Sequence, residues 1–148
     1  MTLPEQVGAV RRSIHRLLTR RLSRQTRRPL QHLLAMKYIA LKKVRTQAEL
    51  AELLAVDAPA VSRLVDRLEE DGMVKRCAGA DRRCVRLEVT EASGAEVEVL
   101  EEVVRDVDAE LSQFLAPTEM RELKRLLEKL QEGLTQEQGA AERQQQME

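Results

Sequence analysis

Residues 46–76 read TQAELAELLAVDAPAVSRLVDRLEEDGMVKR, and this stretch decides the fold. Thr46 followed by Glu49 predicts a capping box that opens a short helix, and Asp57 predicts the N-cap of the next helix, whose first turn accommodates Pro59. Gly72 stands where a left-handed residue commonly ends a helix. Both helices carry an apolar inner face, made of Leu50, Leu53 and Leu54 in the first and of Val61, Leu64, Val65 and Leu68 in the second. Two short helices joined by about three residues predict a helix-turn-helix.

A β-hairpin is predicted directly after this motif. Met73–Cys77 and Cys84–Val89 are strand-like runs, and the polar turn between them, residues 78–83, contains a glycine. The second run alternates apolar with charged residues, which predicts one solvent-exposed face. If the hairpin is symmetric, Cys77 lies directly opposite Cys84.

Further helices are predicted on both sides of this central part. The pattern favours helices at about residues 4–25 and 30–43, a long helix from a Thr90 cap to about Leu115, and a last helix that Pro117 helps to start. Three of these helices carry apolar seams at 3–4 spacing, namely Leu3, Val7, Val10, Ile14 and Leu17; Val97, Leu100, Val104, Val107, Leu111 and Phe114; and Met120, Leu123, Leu127, Leu130 and Leu134. Such seams need a partner surface within the chain or in a second copy, and we expect a homodimer.

The predicted fold is therefore mainly α with a small β-hairpin wing. We expect a winged helix-turn-helix domain at residues 29–89, a helical dimerisation region at residues 1–28 and 90–134, and a polar tail at residues 135–148. The tail is rich in Gln and Glu and lacks apolar periodicity, so frayed helix or disorder is expected there.

Charge is distributed unevenly along a chain whose net charge is zero. Residues 1–45 hold 12 basic residues and one acid, whereas residues 91–148 hold 6 basic and 15 acidic residues. Two interpretations are open: a basic arm that binds phosphates, or, as we favour for most of these charges, basic and acidic helices that pack on each other. Aromatic residues make up only 1% of the chain, which argues against proteins that stack single-stranded bases on aromatic rings.

Several other classes of protein find no support in the sequence. No apolar run is long enough to span a bilayer and the N-terminus lacks the apolar core of a signal peptide, so a cytoplasmic protein is expected. Cys77, Cys84, His15 and His32 do not have a recognised zinc spacing, and two cysteines make no disulfide framework. No phosphate-binding glycine loop or recognised nucleophile motif is present. We expect no enzyme, no metal and no cofactor.

Residues 46–76, together with DRRCVRLEVTEASG at residues 81–94, resemble the MarR/SlyA family of bacterial winged helix-turn-helix transcription regulators. The resemblance implies a triangular helical dimer in which the terminal helices dimerise and each winged domain binds one operator half-site. Asp81 and Arg83 match the family's Asp-x-Arg pattern in the wing. Residues 23–31 are shorter and more basic than the family's usual link. Because that link helps to form an effector pocket in the family, the identity of a small-molecule effector does not carry over.

Duplex DNA binding requires cations on phosphates and short polar groups at base edges. The recognition helix is expected at about residues 58–71, with its first turn in the major groove. Arg63 is the best candidate for a bidentate guanine contact, whereas Arg67 has the alternative of pairing with Asp66 or Asp71 on a solvated face. The candidate DNA-binding residues are Thr46, Gln47, Ala58, Pro59, Ala60, Ser62, Arg63, Arg67, Asp81, Arg82 and Arg83.

The predicted wing carries two open questions. An arginine at its tip can enter the minor groove, with Asp81 holding Arg83 by an ion pair, or the turn can be charged only for solubility. Arginines near Cys77 and Cys84 would favour thiolates and a redox switch, but a reducing cytosol favours a structural role for both cysteines.

Two functions compete at this point. The leading hypothesis is a sequence-specific regulator, a repressor that binds an inverted-repeat operator as a dimer and is released by a small molecule. The alternative is a winged-helix protein–protein adaptor, because winged folds also serve as interaction modules. An adaptor has no need for arginines such as Arg63, Arg82 and Arg83 on one side of the domain.

Overall fold

A computed structural model describes residues 1–41, 43–79 and 85–147. Within these ranges the chain is mainly helical with one antiparallel hairpin, as predicted. The elements are α1 (Leu3–Leu22), α2 (Leu30–Ala40), α3 (Gln47–Leu54), α4 (Ala58–Glu70), β1 (Val74–Ala78), β2 (Val85–Val89), α5 (Ser93–Leu111) and α6 (Pro117–Met147). No helix in these ranges is long and apolar enough to cross a membrane. The chain divides into two compact units, Met1–Val107 and Asp108–Glu148.

The helix-turn-helix forms where the local signals predicted it. The Thr46 hydroxyl accepts a hydrogen bond from the Glu49 amide at 3.2 Å, and Asp57 Oδ1 accepts one from the Ala60 amide at 2.8 Å. Gly72 has a φ of 75°, the left-handed conformation expected after α4. Ala55 ends α3 with a φ of 55°, which the sequence did not predict because alanine rarely adopts this conformation.

The core of the first unit lies under α3, α4 and the hairpin. All four predicted core positions of α4 are buried, and so are Leu50 and Leu54 of α3. The prediction that Leu53 faces inward is wrong, because its side chain is 47% exposed. The short α3 turns only Leu50 and Leu54, which are four residues apart, toward the core. The remaining buried apolar side chains come from α1, α2, the segment before α3, the hairpin and α5, with Leu22, Leu33, Met36, Ile39, Val44, Leu87, Leu100 and Val103 among them.

Helix α5 differs from its prediction in its start, its end and its seam. Thr90 does not cap it, because its hydroxyl donates to the Gly72 carbonyl and the helix begins at Ser93. The helix ends at Leu111 rather than near Leu115. Its buried apolar residues are Val97, Leu100, Val103 and Val107, so Val103 replaces Val104 in the seam, and Phe114 is 76% exposed. Much of this seam is therefore already covered within a single chain.

The hairpin has a register two residues away from the symmetric one. Val74 pairs with Val89, Arg76 with Leu87 and Cys77 with Arg86. The predicted pairing of Cys77 with Cys84 is therefore wrong, because the turn's register could not be read from its composition. Cys84 itself lies outside the described residues.

The second unit consists of the end of α5 and the long helix α6. Lys124 lies 3.5 Å from Asp108, and Arg125 pairs with Glu122 at 2.6 Å on the surface of α6. The helix continues to Met147, through the segment where frayed helix or disorder was predicted. No residue of α6 is buried, and Leu123, Leu126, Leu127, Leu130 and Leu134 are 40–48% exposed.

Candidate nucleic-acid interface

Helix α4 presents three different stripes to its surroundings. Val61, Leu64, Val65 and Leu68 face the core, and a second stripe of Ser62, Asp66 and Glu69 faces β1. The third stripe points outward and consists of Ala58, Pro59, Arg63 and Arg67, all of them exposed. This outward stripe contains most of the predicted DNA-binding residues of the helix. Ala60 and Ser62 are half-buried, and the Ala60 amide is already occupied by the Asp57 cap.

Arg63 and Arg67 differ in how free their side chains are. Within the described ranges, Arg63 has no ion pair or side-chain hydrogen bond. Arg67 is 65% exposed, and its Nε lies 3.4 Å from Asp71 Oδ2 one turn further along the helix. The solvated pair considered for Arg67 is thus present, with Asp71 rather than Asp66 as the partner. Exposed pairs of this kind are weak enough to give way to a phosphate.

Arg76 connects the wing strand to both helices of the helix-turn-helix. Its Nε donates to Gln47 Oε1 at 2.9 Å, its Nη2 to Asp66 Oδ1 at 2.7 Å and its Nη1 to Glu69 Oε1 at 3.1 Å. The backbone amide of Arg76 also donates to Glu69 Oε2 at 3.2 Å. The sequence analysis missed this residue, although a basic residue close after an Asp-x-x-Glu stripe was a signal that could have found it.

The remaining predicted positions fall into two groups. Thr46 and Gln47 lie at the start of α3, where the Thr46 hydroxyl caps the helix and the Gln47 carbonyl oxygen accepts from Arg76. The amide nitrogen of Gln47 remains a donor that DNA can use. Asp81, Arg82 and Arg83 lie outside the described residues.

Cys77 lacks the features expected of a reactive thiol. Its Sγ donates to Glu88 Oε2 at 3.5 Å. Desolvation and this hydrogen bond raise the pKa of the Cys77 thiol, which disfavours the thiolate that oxidation needs. Arg76 was among the arginines expected to favour the thiolate of Cys77. That expectation is wrong for Arg76, because its guanidinium binds carboxylates of α4.

A second ionic cluster joins the link after α1 to the end of α4. Arg28 Nη1 lies 2.8 Å from Asp71 Oδ2, and Arg28 Nε lies 3.3 Å from Glu96 Oε1 on α5. The hydrogen bond from Arg28 lowers the pKa of Asp71, and burial, followed by the nearby Arg28 charge, lowers the pKa of His32. These groups border a cavity of about 660 Å³ lined by Thr26, Arg27, Arg28, Pro29, His32, Arg67, Asp71 and Glu96. The described residues contain no group of three or more His, Cys, Asp or Glu side chains that could hold a metal.

Comparison with known proteins supports both the fold and the family resemblance. A model of the MarR family matches residues 28–83, which include α2, α3, α4 and β1. A mutant MarR from E. coli in complex with operator DNA is 29% identical, with a TM-score of 0.73 over 86% of this chain and 92% of that one. The MarR family is therefore the family that the central part of this chain matches.

Two other MarR-family structures extend the comparison. A MarR-family protein of Mycobacterium tuberculosis, in complex with p-aminosalicylic acid, is 27% identical, with a TM-score of 0.74 over 88% of this chain and 98% of that chain. The transcriptional regulator SlyA is 18% identical and shares the fold, with a TM-score of 0.77 over 93% of this chain and 96% of its own. These relatives are transcription regulators and not enzymes. The chain has the fold of MarR-family transcription regulators, which favours the DNA-binding hypothesis over the adaptor.

We predict that Arg63→Ala weakens operator binding more than Arg67→Ala does, because Arg63 is free on the outward stripe and Arg67 is paired with Asp71. A bidentate arginine–guanine contact contributes about 1–3 kcal/mol, so the expected loss is about 5- to 150-fold. Gel-shift titration of operator and scrambled duplexes measures it. Equal losses on the two duplexes would contradict base readout by Arg63 and would assign it to phosphate.

Proposed function

We propose that this protein is a MarR-family repressor that acts in the cytoplasm, binds an inverted-repeat operator as a homodimer and leaves the DNA when a small organic acid binds. The observation that carries this proposal is the outward stripe of α4, where Pro59 permits close approach and Arg63 and Arg67 supply positive charge. A related MarR has been solved with operator DNA, and a structure of MarR bears the name multiple antibiotic resistance repressor. The fold and these relatives support repression as the role of this chain.

The experiment that tests DNA recognition is selection of binding sites from random duplexes. Because a two-fold dimer presents two copies of α4 in opposite directions, we expect an inverted repeat with half-site centres about 10 base pairs apart. Binding should weaken steeply as salt rises, since phosphate contacts release counterions. Recovery of asymmetric single sites alone would contradict binding of the operator by a two-fold dimer. Recovery of no enriched sequence would contradict the proposal that the protein is a sequence-specific regulator.

Exposed apolar side chains at both ends of the chain support the dimer. Leu3, Val7 and Val10 of α1 are 43–56% exposed, and α6 exposes a series of leucines at 3–4 spacing. A monomeric protein rarely leaves such rows uncovered, and a second copy of the chain offers the same rows in return. We therefore keep residues 1–28 and 90–134 as the proposed dimerisation region and residues 29–89 as the proposed DNA-binding domain.

Leu127→Asp is predicted to give a folded monomer that no longer binds the inverted repeat. Leu127 is 47% exposed, so the charge is tolerated in a single chain but opposes burial against a partner. Leu53→Asp is the matched control, because Leu53 is also 47% exposed but lies on α3, outside the proposed interface. Sedimentation analysis distinguishes the two variants. A parent chain that sediments as a monomer, or a Leu127→Asp variant that remains a dimer, would contradict the interface.

The cavity beside Arg28 is the proposed effector site. It is lined by three arginines, and two of its lining residues, Arg67 and Asp71, belong to the last turn of α4 and its C-cap. A carboxylate ligand that pairs with Arg28 competes with Asp71 and Glu96 for the same guanidinium. Binding there would release the end of α4 from the link after α1. The M. tuberculosis relative that was solved with p-aminosalicylic acid supports this choice of ligand chemistry.

We predict that p-aminosalicylate lowers operator affinity of the parent protein and has little effect on Arg28→Met. Arg24→Met is the control, because Arg24 is an exposed arginine close to the same link but is not among the residues that line the cavity. Fluorescence anisotropy of labelled operator follows the release. If p-aminosalicylate releases Arg28→Met from the operator as it releases the parent, the effector does not bind in this cavity. If it does not release the parent, the proposed class of ligand is wrong.

A further inference from the structure

Arg76 lies on the inward face of the hairpin and is withdrawn from solvent. It pairs with Leu87 across the strands, and Leu87 is buried, so the Arg76 side chain extends on the same face toward α3 and α4. Only 23% of its side chain is exposed, in contrast to the exposed Arg63. Most of the N–H groups of Arg76 are thus already bound to protein acceptors and are not available to a phosphate.

The contacts of Arg76 involve three elements at once. Gln47 belongs to α3, Asp66 and Glu69 belong to α4, and Arg76 itself belongs to β1. The planar guanidinium fixes the angle between its partners, because each hydrogen bond leaves it in a set direction. Glu69 strengthens this connection by accepting from both the side chain and the backbone amide of Arg76. The start of the wing is thus tied to the stripe of α4 that lies beside the outward stripe.

We propose that Arg76 is a positioning residue for DNA binding, which holds β1 at the angle at which the wing and the outward stripe of α4 bind one duplex together, without binding DNA itself. The inference rests on the proposed DNA binding. It assigns Asp66 and Glu69, two acids on the recognition helix, to holding Arg76. Their charges are thereby balanced in part by a cation that does not face the DNA.

A double-mutant cycle between Arg76 and the predicted wing-tip residue Arg83 tests the inference. Arg76→Met removes the directed contacts and keeps the apolar stem, and Arg83→Ala removes the wing's own cation. We expect each single change to weaken operator binding, Arg76→Met by about tenfold, and Arg83→Ala to weaken it far less in the Arg76→Met background than in the parent. Arg86→Met is the matched control, because Arg86 is exposed on β2 and should combine additively with Arg83→Ala. Additive losses for Arg76 and Arg83 would overturn the proposal.

A second set of variants separates position from charge. Arg76→Lys keeps the charge but not the planar fork, and we expect it to restore less than half of the lost discrimination between operator and scrambled duplex. Asp66→Asn combined with Glu69→Gln leaves Arg76 in place without its anionic partners, and this variant should also discriminate less well. If Arg76 instead bound phosphate, Arg76→Lys would restore binding to both duplexes, and that result would overturn the proposal. Removing two acids from α4 strengthens binding to any duplex, so the double variant is judged by its discrimination between operator and scrambled duplex, and unchanged discrimination would also overturn the proposal.

Thermal unfolding of every variant accompanies these titrations. If Arg76→Met does not fold, the Asp66→Asn, Glu69→Gln variant decides the matter, because both of its substituted side chains are about half exposed. A parent protein that binds no selected duplex would reject the proposed function itself. A parent that binds, together with additive losses, would reject only the role of Arg76.

Discussion

The structure depends on one constraint, which is that α4 has to satisfy three surroundings with a single helix. Four apolar side chains must leave water, one polar stripe must meet the wing strand, and one stripe must remain exposed. Burying a valine or leucine side chain contributes about 1.5–3 kcal/mol, whereas an exposed ion pair contributes about 0–1 kcal/mol. Burial of Val61, Leu64, Val65 and Leu68 therefore fixes the rotation of α4, and the polar contacts adjust to that rotation.

The two arginine clusters join α4 to different parts of the fold. Arg76 joins the wing strand to the middle of α4 through Asp66 and Glu69, while Arg28 joins the link after α1 to the C-cap of α4 through Asp71. Because both clusters bind carboxylates on α4, the helix is connected electrostatically to the wing on one side and to α5 and the link on the other. A change at either cluster has a direct route to the orientation of the outward stripe.

The structure supports the packing interpretation for one basic residue of the N-terminal region and leaves the phosphate interpretation untested for others. Arg28 packs against acidic side chains of α4 and α5, as the packing interpretation expected. Arg11, Arg12 and Arg16 instead line an open cavity of about 500 Å³ together with His15 and Gln31, and none of these lining residues is acidic. Charge composition alone could not separate the two groups, because one arginine differs from another only in what the fold places beside it.

The sequence by itself determined the two helices of the helix-turn-helix, because their signals are local. Thr46, Asp57, Pro59 and Gly72 act on the backbone within one helical turn, and the apolar spacing of α4 names its core face without reference to any partner. The same spacing predicted that Arg63 lies on the exposed side of α4. The family resemblance was likewise identified from the central motif, whose order of elements is specific.

Tertiary structure alone decided the contacts that join distant segments. The hairpin register, the exposure of Leu53 and the shift from Val104 to Val103 in α5 depend on which surfaces meet, and spacing cannot supply that information. Thr90 does not cap α5 as predicted, because its hydroxyl donates to the Gly72 carbonyl. The contacts of Arg76 and Arg28 likewise depend on the tertiary fold. Gln47 and Asp66 lie 29 and 10 residues from Arg76 along the chain. Asp71 lies 43 residues from Arg28. A local pattern shows where a charge lies along the chain, but only the folded chain determines which groups neutralise it.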